Sequence, residues 1–232
     1  WFESHLEKFN LQYKNRSDEF HGLGIAGPKS RDLLQKVVRE NVSNDSFKFR
    51  DSRKMFVAGV PAIVNRISFT GELGYEIYVA PHFQLKLYEE LTKAGKEFNI
   101  KPFGGRALMS MRLEKNWGAW TLDYRPDFTA KETGLDAFIN WNKDFIGKDS
   151  TKKDESKNKL VPLIVETNDI DVTYNEAVLK GDKSIGYITS GGFAHFVNKS
   201  VAFSYVDQNE LKSEKGIQVE INGDFFNCSI IK

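Results

Sequence analysis

The chain has 232 residues, 40% of them apolar and 28% charged, enough to bury one large core or two small ones. Its 33 basic and 32 acidic side chains leave a formal net charge of +1, which removes the electrostatic footprint of nonspecific nucleic-acid binding. No run approaches the roughly 18 uninterrupted apolar residues of a membrane helix, and the opening WFESHLEKFN is too polar for a signal peptide, so a globular cytoplasmic protein is expected.

In chain order, LQYKN at 11–15 and the run through LGIA read as extended. Pro28 then sits where a missing N–H is harmless, in the first turn of a helix at about 28–39. MFVAGV and AIVNRISF read as strands separated by Gly59 and Pro61. The stretch RISFTGELGYEIYV, 66–79, alternates like a strand and can present Glu72 or Glu76 from a rigid element. Pro81 opens a second helix whose Phe83, Leu87, Tyr88, Leu91 and Ala94 share one face, with Gly95 placed to end it. Helices between paired strands predict an α+β layer, ordered like a ferredoxin-like half. A helix carrying RLEK, 112–115, turns Leu108 and Met111 to a core and offers Arg112 and Glu114 as buried polar partners.

The charged run 147–160 has no apolar side chain for twelve residues after Gly147 and reads as a linker, which divides the chain into 1–148 and 149–232. Beyond it LVPLIVE, AVLK, SIGYITSG, SVAFSYV and GIQVEI are short strands of a small barrel or sandwich. Asn222-Gly223 fits the turn of the last hairpin. Trp1 in place of methionine and an ending inside the apolar SIIK predict a piece of a longer protein.

Several constellations are weighed and set aside. Gly22, Gly24 and Gly27 have dinucleotide-loop spacing, but Leu23 and Ile25 lie inside the motif and NRSDEF precedes it, so a strand with a tight exit turn is the better reading. The four histidines are never spaced i, i+4, which gives no support for zinc. Cys228, the only cysteine, excludes an intrachain disulfide and reads as a packed residue. NDID at 168–171 lacks the rest of a calcium loop and reads as a solvated turn. No GxSxG elbow is present. Trp117, Trp120, Tyr124 and Phe128 form an aromatic cluster that either walls a planar heterocycle or closes a core.

Matched motifs in a fixed order carry a family resemblance. AGPKSRDLLQKV (26–37), FTGELGYEIYVA (69–80), KDFIGKD (143–149), IGYITSGG (185–192) and VNKSVAFSYV (197–206) resemble the folate-binding aminomethyltransferase family of the glycine-cleavage T-protein. HFVNKS, EKNWGAW and ETGLDAFI are similar to the versions fused to dimethylglycine and sarcosine dehydrogenases. The resemblance implies an incomplete ferredoxin-like folate-binding core at 1–148 and a C-terminal β-rich domain at 149–232.

It also implies a function, a fragment of a tetrahydrofolate-dependent one-carbon transferase. The alternatives are a glycine-cleavage T-protein and a noncatalytic folate-binding or assembly module. FAD is implied only if an upstream flavin domain is present. The implied partners are folate, a one-carbon donor, and an upstream oxidoreductase domain or a lipoyl protein. The family's second glutamate, matched by Glu76, holds the pterin ring, because adjacent 2-amino and N3–H donors suit one carboxylate. Ile77 and Tyr78 would wall the ring, Phe69 stands where the family usually has tyrosine, and Glu72 is a further candidate, with Trp120 beside them. Ala137 replaces a second family tyrosine, and Leu108 replaces an arginine that stand-alone T-proteins use. The family's catalytic aspartate lies upstream of the part matched by WFESHL, so no catalytic residue is assigned here and the isolated chain is expected to be inactive.

Overall fold

The computed structural model describes residues 1–6, 9–153, 155–167, 169–212 and 215–231. The chain forms two compact units, Trp1–Pro102 and Phe103–Lys232. No helix among the described residues is long and apolar enough to cross a membrane.

The first unit starts with a one-turn helix, α1 (Glu3–Leu6). The LQYKN segment, expected to be extended, is exposed and joins no strand. Five elements follow: β1 (His21–Ala26), α2 (Ser30–Val37), β2 (Ser52–Val57), β3 (Val60–Asn65) and β4 (Gly74–Val79). A single 3-10 turn at Pro81–Phe83 then leads into α3 (Gln84–Gly95). The strands form an antiparallel sheet in the order β1-β4-β3-β2. This βαβββα unit is the expected α+β layer. Both helices lie on one face of the sheet, with Leu33, Leu34, Leu87 and Leu91 packed on Ile25, Val57, Val64 and Ile77.

Tyr88 departs from the expected apolar face of α3 and is 50% exposed. Gly95 is needed for a different reason from a left-handed cap. A Cβ there would lie 2.6 Å from Ile100 and 2.7 Å from Leu33, so the glycine permits close approach. The left-handed residue that ends the helical path is Asn99, at φ 57°.

The second unit opens with α4 (Gly105–Glu114), continues through irregular chain to α5 (Lys148–Lys152), and then builds a barrel. Its strands are β5 (Asn158–Val165), β6 (Ala177–Lys180), β7 (Lys183–Ala194), β8 (Lys199–Asp207), β9 (Ile217–Ile221) and β10 (Asp224–Ile230). They close in the order β10-β5-β8-β7-β6-β9, which decides between barrel and sandwich. Alternation along β5 and β9 turns Val161, Leu163, Val165, Val219 and Ile221 inward. Asn222 and Gly223, at φ 53° and 91°, supply the left-handed pair of the last hairpin.

The charged run is more structured than a bare linker, since it contains α5 and the first residues of β5. Asp154 of that run and Asn168 of NDID lie outside the described residues.

Candidate functional site

Strand alternation decides what β4 offers. Tyr75, Ile77 and Val79 are 1%, 0% and 1% exposed and point toward α2 and α3, so Glu76 and Tyr78 occupy the opposite face, where both are half-buried. There the register sets Gly24 and Asn65 beside Glu76, and Gly22 and Ile63 beside Tyr78. The Tyr78 hydroxyl donates to Glu76 Oε2 at 2.8 Å. That bond, and then burial, raises the phenol's pKa above its ordinary value. Among the described residues Glu76 Oε1 accepts no hydrogen bond, so the carboxylate keeps accepting capacity on both oxygens.

The two glycines leave β1 without side chains beside Glu76 and Tyr78. A Cβ at Gly22 would press on the Tyr78 ring at 3.1 Å, and one at Gly24 would meet nothing within 4 Å. A flat group can therefore approach the backbone beside Glu76. The nucleotide-like glycine spacing resolves as a strand and its exit turn, since Gly27 has φ 119° and donates its N–H to the Leu73 carbonyl at 2.8 Å. A cleft of about 420 Å³ extends along the unit beside Tyr78, against Phe20, Phe56 and Ile63, and Arg16 and Lys54 also line it. That volume falls in the range of small-molecule sites.

The structure brings some of the expected residues together and separates others. Glu76 and Tyr78 meet. Ile77 does not share their face; it is fully buried in the core, because neighbours along a strand point to opposite sides, and so it is corrected from wall to core. Phe69 and Glu72 lie in the β3–β4 loop, Phe69 being 37% exposed and Glu72 donating its backbone N–H to Thr70 Oγ1 at 3.2 Å. Trp120 and Ala137 belong to the second unit. Trp120 is 75% exposed, edge-on to Tyr124 at 5.5 Å, and Ala137 is exposed in the 3-10 turn Asp136–Phe138.

Sequence reasoning missed Gly22, Gly24 and Asn65 as part of this face. The signal available for the glycines was their i, i+2 spacing inside a strand.

The second unit holds a buried polar cluster. Arg112 and Asp123 are both 0% exposed and pair at 2.6 Å, Nη1 to Oδ2. Oδ2 also accepts the Ala119 N–H at 2.7 Å, and Oδ1 accepts Thr189 and Ser190 hydroxyls at 2.5 and 2.6 Å. Burial pulls the Arg112 pKa down, and the Asp123 charge opposes that shift. Glu114, expected with Arg112 as a buried polar partner of a neighbouring strand, is half-buried and accepts the Phe196 N–H at 2.7 Å, just past β7. On α4 the buried residues are Arg112 and Leu113, while Leu108 and Met111 are half-buried. With Ser110 donating to the Phe193 carbonyl at 2.5 Å, α4 is held to β7 directly, to Ser190 of β7 through Asp123, and by Glu114 to the turn that follows β7.

Residues 1–143 match the model of the GCVT N-terminal domain, and residues 158–232 match the glycine cleavage T-protein C-terminal barrel domain. The chain is 37% identical over 239 residues to the mitochondrial dimethylglycine dehydrogenase of Homo sapiens, covering 100% of this chain and 28% of that protein. It is 30% identical to the aminomethyltransferase of Thermoanaerobacter pseudethanolicus, covering 95% of this chain and 60% of the relative. The crystal structure of glycine cleavage system aminomethyltransferase T from Bartonella henselae superposes with a TM-score of 0.79 at 22% identity, over 92% of this chain and 58% of that one, which establishes a shared fold. The chain thus spans less than a third of the dehydrogenase and about three fifths of the transferase.

Proposed function

The chain belongs to the glycine cleavage T-protein family, and on that premise we propose that it is part of a tetrahydrofolate-dependent one-carbon transferase, within a dimethylglycine or sarcosine dehydrogenase-like protein. The observation that carries this reading is the face of β4 that bears Glu76 and Tyr78. A carboxylate steadied by Tyr78, above a glycine floor, suits a planar ring with adjacent N–H donors.

In this reading Glu76 accepts the pterin 2-amino and N3–H groups and fixes the ring's orientation, while Tyr78 holds the carboxylate and borders the ring. Phe69 and Glu72 approach from the β3–β4 loop. Glu76 acts by binding and positioning, and proton transfer is assigned to no residue of this chain. FAD enters only through an oxidoreductase region joined to this one. A second reading, a glycine-cleavage T-protein with a lipoyl-protein partner, draws on the aminomethyltransferase relatives.

Glu76→Gln is expected to weaken tetrahydrofolate binding by about 1–3 kcal/mol, the scale for losing a charged hydrogen-bond partner. Isothermal calorimetry on the full chain checks it, and an unchanged affinity rejects Glu76 as the pterin anchor.

We also assign the folate-binding core to 1–148 and the end domain to 149–232, a division supported by where the two family models stop and start. Trypsin is expected to cut first between Lys152 and Lys159, where Lys152, Lys153, Lys157 and Lys159 are exposed. The fragments should then co-elute on gel filtration, because Asp123 on one side of the cut holds Thr189 and Ser190 on the other. A first cut within 66–115 would refute the assignment.

A further inference from the structure

On the helix-covered side of the first unit's sheet, two arginines converge on one uncharged oxygen. Arg31 lies in the first turn of α2, and Arg66 follows β3. Arg31 Nη2 donates to Asn44 Oδ1 at 2.6 Å, and Arg66 Nη2 donates to the same oxygen at 2.7 Å. The two guanidinium groups are thus separated by the width of a single acceptor.

Both are anchored from behind. Arg31 Nε donates to Tyr75 Oη at 3.2 Å, and Arg66 Nη1 donates to the Phe47 carbonyl at 2.5 Å. Tyr75 and Phe47 are 1% and 0% exposed and stack at 5.8 Å, so the anchors belong to the core. Tyr75 alternates with Glu76 along β4, which places this cluster on the face opposite the proposed pterin site.

Among the described residues no carboxylate offsets the two charges. Among the described residues Asp32 pairs with Lys29 at 3.6 Å, Asp51 pairs with Arg53 at 3.2 Å, and neither arginine forms an ion pair. Asp45, next in sequence to Asn44, reaches neither of them. Arg66 Nε is shielded from solvent and has no partner. An amide oxygen carries a fraction of a charge and cannot balance two guanidinium groups at this separation. Meanwhile Arg31 Nη1 and the second hydrogen on each Nη2 remain available as donors.

We propose that Arg31, Arg66 and Asn44 form a binding site for a phosphate group, either inorganic phosphate or a phosphate monoester. Two planar forks aimed at one point match the several oxygens of a tetrahedral dianion, and Asn44 turns its amide to donate when the anion takes the place of its oxygen. The inference rests on these residues alone and is independent of the folate reading.

The test uses the full chain, with calorimetry and thermal unfolding in inorganic phosphate, in glycerol 3-phosphate, and in sodium chloride at matched ionic strength. Both phosphates are expected to bind and raise the Tm above the chloride control. Tighter binding of the ester identifies a phosphorylated metabolite as the ligand class, and equal binding identifies free phosphate. Arg31→Gln is expected to weaken binding about tenfold, the loss of one charge-assisted contact. Asn44→Asp places a carboxylate between the guanidinium groups, so it is expected to raise the Tm without phosphate and abolish phosphate binding. Asn44 is exposed, so this variant folds whatever the outcome for the arginines. Phosphate binding no tighter than chloride, or Asn44→Asp binding phosphate like the parent chain, overturns the proposal.

Discussion

Asp123→Ala is expected to lower the stability of the second unit by about 3–5 kcal/mol, the cost of leaving a buried charge without its partner. Arg112 is fully buried and its Nε and Nη2 already have no acceptor, so once Asp123 is removed the guanidinium is left with uncharged neighbours, the Trp117 carbonyl at 2.9 Å and the Phe203 ring at 5.7 Å. The same change strips the acceptor from the Ala119 N–H and from the Thr189 and Ser190 hydroxyls. Arg112→Met should cost less. It removes the buried charge together with its demand, and Asp123 keeps three donors. Urea unfolding of both variants gives the order, and an Arg112→Met loss equal to or larger than that of Asp123→Ala would refute the account.

Ile77→Ala is expected to cost about 2–5 kcal/mol of stability, the range for truncating a buried aliphatic side chain. Ile77 is 0% exposed and sits in the cluster with Leu33, Leu34 and Val64 beneath α2 and α3. Tetrahydrofolate affinity, measured by calorimetry well below the variant's Tm, should be unchanged, since the side chain lies on the far side of the sheet from Glu76. A stability loss under 1 kcal/mol joined to weakened folate binding would instead return Ile77 to the pocket wall.

These two residues show where sequence was informative and where it was not. The strands of the barrel and the Asn222-Gly223 hairpin depend on neighbours a few positions apart, so period and turn chemistry revealed them. Adjacency to Glu76 along the chain is not adjacency on a face, and the period of two along the strand assigns Ile77 to the core. Asp123 was not legible at all. Its hydroxyl partners lie 66 and 67 residues further on, and nothing local separates a carboxylate destined for burial from one in solvent. The glycines of β1 were legible as glycines, but their use depended on β4, which pairs with them from more than fifty residues away.

Closure of the barrel also sorts the molecule's exposure to misassembly. Each of its six strands has two neighbours, so the barrel presents no open row of amides to another chain. The four-stranded sheet ends in β1 and β2, each paired on one side only. The β2 edge carries Arg53 and Lys54, charges that discourage strand-on-strand growth. At the other edge β1 carries two glycines and His21 as its only polar side chain. Of the two sheet edges β1 is therefore the less protected against strand-on-strand pairing, and it is the same strand whose bareness gives a flat ligand room to approach.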